Sequence, residues 1–159
     1  MTRTDEIIIN FNSISIPEYV LYNYNIKCSN LIFDWIEFRK EQMVPEELKY
    51  PGWQTEKNSL GETPLIRWIV YGNDKCIPEE LKYPGWQTDK NALGETSLML
   101  WIEYRKNEPI LEDLKYPGCQ AYKNVFNNIP LIYWIGHRIN ERIPDELYYP
   151  GCQTNKNDN

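Results

Sequence analysis

Apolar residues recur at helical spacing in three places. Leu65, Trp68 and Ile69 stand at i, i+3 and i+4, as do Leu98, Trp101, Ile102 and Leu131, Trp134, Ile135. That spacing sets each trio on one face of an α-helix. Thr63 and Thr96 stand where a hydroxyl caps the first turn, and Pro64 suits the first helical position, whose N–H has no helical partner in any case. A second segment follows each helix, "PEELKYPGWQT" at 45–55 and again, letter for letter, at 78–88, with the looser copies "LEDLKYPGCQA" and "PDELYYPGCQT" at 111–121 and 144–154. Pro45, Pro78 and Pro144 open this segment, with Leu111 in the third copy, and the acidic pairs Glu46-Glu47, Glu79-Glu80, Glu112-Asp113 and Asp145-Glu146 face a helix's positive end. Pro51, Pro84, Pro117 and Pro150 then disfavour helical geometry in the preceding Tyr, and the next Gly supplies a left-handed turn. The pattern predicts a second helix of about two turns. Beyond it lies a polar loop, "WQTEKNSLGE" in its first copy, with Lys-Asn turn chemistry.

The pattern is periodic. Pro-Gly glycines fall at 52, 85, 118 and 151 and tryptophans at 35, 68, 101 and 134, each series stepping by 33 residues. Two independent series with one step define four units, 28–60, 61–93, 94–126 and 127–159, without insertion or deletion. A solenoid usually needs at least three. Residues 1–27 are not a full unit, yet "IPEYVLY" at 16–22 matches "IPEELKY" at 77–83 in its Ile, Pro, Glu and final Tyr. The segment reads as an atypical N-terminal cap, preceded by "EIIINF", which suits strand or helix; a departing terminal unit is what a solenoid end requires.

The unit resembles the ankyrin repeat. "GETPLIRWI" and "GETSLMLWI" are similar to that family's Gly-x-Thr-Pro-Leu-His-x-Ala segment, through Gly61, Thr63, Pro64, Leu65 and Gly94, Thr96, Leu98, and the period is the family's own. The family's His position holds Ile66, Met99 and Ile132 here, and its small Ala position holds Trp68, Trp101 and Trp134. The resemblance implies an all-α fold, an α-solenoid of four helix-turn-helix repeats, and a scaffold that binds another protein.

Composition narrows the function. The chain has 159 residues, 14% of them aromatic, which is enough to build a core. Its net charge of −6 lacks the basic stripe of a nucleic-acid binder, so no direct nucleic-acid binding is expected and a partner met through charge would be basic. No apolar run spans a membrane and "MTRTDEIIIN" has no signal-peptide h-region, so the expected location is the cytoplasm.

No nucleophile-base set or metal-ligand spacing stands out, so neither an enzyme nor a cofactor is expected. His137, the single histidine, aligns with Phe38, Tyr71 and Tyr104, which suits a packing or surface group. Cys28, Cys76, Cys119 and Cys152 form no CxxC pair and read as free thiols, with Cys119 and Cys152 standing where Trp53 and Trp86 stand in other units. The four periodic tryptophans read as core, the acidic pairs first as helix-dipole compensation and second as an edge that blocks a basic, nucleic-acid-binding surface of a target. Gln54, Lys57 and their copies read as residues that build turns or satisfy the next unit.

Recognition is sought where units differ. On the first helices the varying positions are Ile66, Arg67, Val70, Tyr71; Met99, Leu100, Glu103, Tyr104; and Ile132, Tyr133, Gly136, His137. From these Arg67, Tyr71, Leu100, Glu103, Tyr104, Tyr133 and His137 are the candidate partner-binding residues, joined by Glu56, Asp89 and Tyr122 at loop tips. A solenoid presents such positions as one extended concave surface, and Tyr and Arg are enriched at interfaces.

Overall fold

A computed structural model describes residues 28–38, 43–72 and 75–149. The N-terminal cap expected over 1–27 lies outside the described residues, as do Pro150, Gly151, Cys152, Gln153 and Lys156. Among the described residues the chain is helical, with no strand. Helix α1 spans Cys28–Phe38, α2 Pro64–Tyr71, α3 Ser97–Tyr104 and α4 Pro130–His137. Each packs against its neighbour in chain order.

The helices start as their sequence dictates. Thr63 Oγ1 accepts from the Ile66 amide at 3.3 Å and Thr96 Oγ1 from the Met99 amide at 3.5 Å. Pro64 and Pro130 occupy first-turn positions. Helices of eight residues are too short to persist alone, so burial must hold them. Leu65, Ile66, Trp68 and Ile69 of α2 are buried, as are Leu98, Met99, Trp101 and Ile102 of α3. Each large side chain so enclosed contributes roughly 1.5–3 kcal/mol. One apolar core runs without a break from Leu31 to Leu147.

The second segment is shorter than the expected two-turn helix. It is a single 3₁₀ turn, at Glu46–Leu48, Glu79–Leu81, Glu112–Leu114 and Asp145–Leu147, closed by bonds such as Leu48 N–H to Pro45 C=O at 3.0 Å. The reason lies in its borders. Pro45 is extended at one end, and Lys49 already returns to extended geometry before the Tyr50-Pro51 pair. What remains is an anchor: Leu48, Leu81, Leu114 and Leu147 are all buried. A second 3₁₀ turn follows the Pro-Gly, beginning after Gly52 at φ +85° and covering Trp53–Thr55. It packs against α2 of the next unit.

Loops stack as the helices do. Asn58 Oδ1 accepts from the amides of Leu60 and Glu62, and Asn91 repeats the turn with Leu93 and Glu95. Neighbouring loops then bond directly, Ala92 N–H to Leu60 C=O at 2.8 Å and Val125 N–H to Leu93 C=O at 2.9 Å. That approach is close enough that a Cβ on Gly61 would lie 2.6 Å from the Ala92 nitrogen. Gln54 and Lys57 reach forward too, to the carbonyls of Glu80, Lys82 and Lys90. They satisfy the next unit, as expected.

One trio departs from its helical pattern. Ile135 aligns with the fully buried Ile69 and Ile102, yet is 52% exposed. The difference is positional. The outer faces of α2 and α3 are covered by the following helix, and no described α-helix follows α4.

Candidate functional site

Helices α2 to α4 bring several non-repeating side chains together. Arg67 sits at the base of the group, paired with Glu37 of the preceding unit and with Glu62 at 2.9 Å, its guanidinium 4.3 Å over the Tyr71 ring. Burial of Arg67 works against its charge, and Glu62 and Glu37 more than offset it. Tyr104, one unit on, is 49% exposed. Glu103 and His137 approach to 3.9 Å, and the His137 ring stacks on Tyr133 with centroids 5.8 Å apart. Burial raises the Glu103 carboxyl above its ordinary range, with His137 pulling the other way.

Between α3 and α4 lies a groove of about 280 Å³, bordered by Glu95, Glu103, Tyr133, Gly136 and His137. The Tyr133 hydroxyl donates to Glu95 and accepts from Asn124 Nδ2 at 2.9 Å. A groove with two carboxylates and aromatic walls suits a cationic side chain.

Two candidates are not available as surface. Leu100 is 2% exposed and Tyr133 is 7% exposed. Both occupy the register position of Arg67, which turns toward the preceding unit. Leu100 therefore serves the core and Tyr133 ties α4 to Glu95. Tyr122 is also tied down. Where Trp53 and Trp86 become the smaller, buried Cys119, Tyr122 brings its ring against the core, with its centroid 6.0 Å from that of Tyr116 and the Lys90 ammonium 4.6 Å over the ring. Glu56 is exposed and Asp89 half-buried, its carboxyl pushed up by burial against the pull of Lys57.

Glu95 is the residue missed. It lies inside the repeated Gly-Glu-Thr segment, where repetition argued for structure. Its exchange for Asn128 in the last unit is the signal that this position also varies.

The acidic edge is a mixed one. Lys49 joins Glu46 at 2.6 Å to Glu80 of the next unit at 2.8 Å. Lys82 joins Glu79 to Asp113, and Lys115 joins Glu112 to Glu146. Carboxylates already shared with lysines make a poor mimic of a phosphate backbone. Cys76 and Cys119 are free thiols, and among the described residues no cluster of His, Cys, Asp or Glu could hold a metal ion. No described helix is long and apolar enough to cross a membrane.

No protein-family model, curated protein or solved structure matches the chain.

Proposed function

We propose that the chain is an ankyrin-like solenoid that works as a non-enzymatic scaffold, binding a partner protein through Tyr71, Glu103, Tyr104 and His137. The observation that carries this reading is the groove between α3 and α4, lined by Glu95, Glu103 and the rings of Phe126, Tyr133 and His137, with the exposed Tyr104 next to Glu103 in the chain. Its chemistry fits a lysine or arginine side chain on the partner, with Tyr104 and Tyr71 supplying the large, rigid contact area typical of interface anchors. The extended surface that consecutive units present supports a protein ligand over a small molecule.

Affinity capture with the intact chain, set beside a Tyr104→Ala and Glu103→Gln double variant, tests it. Both positions are accessible, so the fold should persist while the captured partner is lost. An unchanged set of captured proteins would reject the reading. Binding that resists a rise in salt would point to the aromatic contacts as the main contribution, and binding that falls steeply would point to the carboxylates.

A further inference from the structure

Arg67 is the chain's own occupant of a site that recurs, without its occupant, two units later. Its guanidinium donates to Glu37 of the preceding unit and to Glu62 of its own unit, and lies 4.3 Å over the Tyr71 ring. Two periods of 33 residues on, Glu103 stands for Glu37, Tyr133 for Arg67 and His137 for Tyr71. At the junction between them the acid and the arginine are both absent, replaced by Val70 and Leu100. At Glu103 the acid returns and the arginine does not. Glu95 has lost the same partner: it is the counterpart of Glu62, and the place of Arg67 in its unit is taken by the buried Leu100. The Tyr133 hydroxyl bonds to Glu95 but brings no charge, so both carboxylates border the groove between α3 and α4. Across it Glu103 meets His137 Nε2 at 3.9 Å, beyond a hydrogen bond, and a histidine carries charge only when protonated. Burial raises the Glu103 carboxyl, and against the pull of His137 and Lys106 the neighbouring Glu95 raises it further. Two like charges face one another where the earlier site has a cation.

We infer that this groove is a guanidinium site, filled by an arginine side chain of the partner in the pose that Arg67 takes within the chain; the inference rests on the scaffold reading above. Arg67 shows why the occupant is arginine and not lysine. It gives one terminal nitrogen to each of two separate carboxylates while its flat face lies on a ring. A planar fork meets those three demands together, whereas an ammonium is a compact, strongly hydrated point charge. In the groove Glu103 and Glu95 supply the two acids. The His137 ring, backed by Tyr133 with planes inclined by 29°, supplies the flat wall.

Amide NMR of the intact chain at neutral pH, titrated to about 50 mM with a capped Gly-Arg-Gly peptide or with capped Gly-Lys-Gly at matched ionic strength, tests this. The arginine peptide is expected to shift the resonances of Glu95, Glu103, Gly136 and His137 and to bind about fivefold more tightly than the lysine peptide. Glu103→Gln should remove that preference with the fold retained. Tyr133→Arg should fill the site from within, as Arg67 does beside Glu37, and abolish the shifts; where that variant fails to fold, Glu103→Gln decides. A lysine peptide that binds as tightly overturns the arginine assignment and leaves the scaffold reading standing, as does a preference that survives Glu103→Gln. No shift with either peptide overturns the site itself. Failure of the scaffold reading shows separately, as an unchanged set of proteins captured by the Tyr104→Ala and Glu103→Gln double variant.

Discussion

The guanidinium of Arg105 donates to the carbonyl oxygen of Ile69 at 2.8 Å, one unit back along the chain. It also reaches Trp68 C=O at 2.9 Å and lies over the Trp68 ring at 4.9 Å. Arg138 repeats the arrangement on the carbonyls of Ile102 and Arg105, stacked on Trp134 at 4.4 Å. The last carbonyls of a helix lack intrahelical donors and carry its negative end. Each arginine thus closes the preceding helix.

Removing that closure should be costly. Arg105→Ala leaves buried carbonyls without their charged donor and is expected to lower stability by about 3 kcal/mol. Arg105→Lys should recover less than half, since an ammonium cannot reproduce the planar fork or the stack on Trp68. Urea unfolding at neutral pH measures both; a loss below about 0.5 kcal/mol for the alanine variant would contradict this role.

Gly61 and Asn127 occupy equivalent positions and should respond in opposite directions. Gly61→Ala adds a Cβ to a residue at φ +72° and drives it into the Ala92 nitrogen, so a loss of more than about 1 kcal/mol is expected. Asn127→Gly relieves a left-handed side chain and is expected to be neutral or to stabilise by a few tenths of a kcal/mol, or about 1 at most. Thermal melting of the two single variants provides the comparison. Equal losses in both would show that loop stacking does not constrain Gly61.

Alkaline conditions should loosen the chain. Burial raises the hydroxyls of Tyr116 and Tyr133 above the ordinary 10.0, with the bond to Glu95 adding to the effect for Tyr133. Lys49 and Lys115 are raised above 10.5, chiefly by their bonds to Glu46 and Glu112; burial opposes the rise in Lys82, and its bonds to Asp113 and Glu79 prevail. A group whose folded pKa is raised binds its proton more tightly in the folded chain, so its stabilisation is complete below the unfolded value and fades above it. Stability is therefore expected to hold to about pH 10 and to fall beyond it. Melting temperatures from pH 8 to pH 11.5 would show this, and a flat profile across that range would refute it.

Much of the fold was legible because it is local and periodic. The threonine caps, the Asn58 turn and the buried Trp68, Trp101 and Trp134 follow from spacing and from backbone chemistry within a few residues. The second segment was misjudged because favourable helix charges hid how little chain lies between Pro45 and Pro51. Leu100, Tyr133 and Ile135 show a different limit: burial depends on which neighbour a position faces, and one register position reads alike in every unit. Arg105 and Arg138 went unnoticed because Gly72 interrupts their series and a charged side chain suggests a surface.

Gln54, Lys57, Lys49, Arg105 and Arg138 share one geometric property: each sends a side-chain bond into an adjoining unit, and the bond from Tyr133 to Glu95 reaches across 38 residues. Among the described residues no side-chain bond reaches past a neighbouring unit. Damage to a middle unit cuts the chain into two pieces that no longer support each other, whereas damage to a terminal unit shortens the intact part by one. Amide protons at α2 and α3 should exchange last with solvent, and those at the outer units first, as in a row of bricks mortared only at the joints.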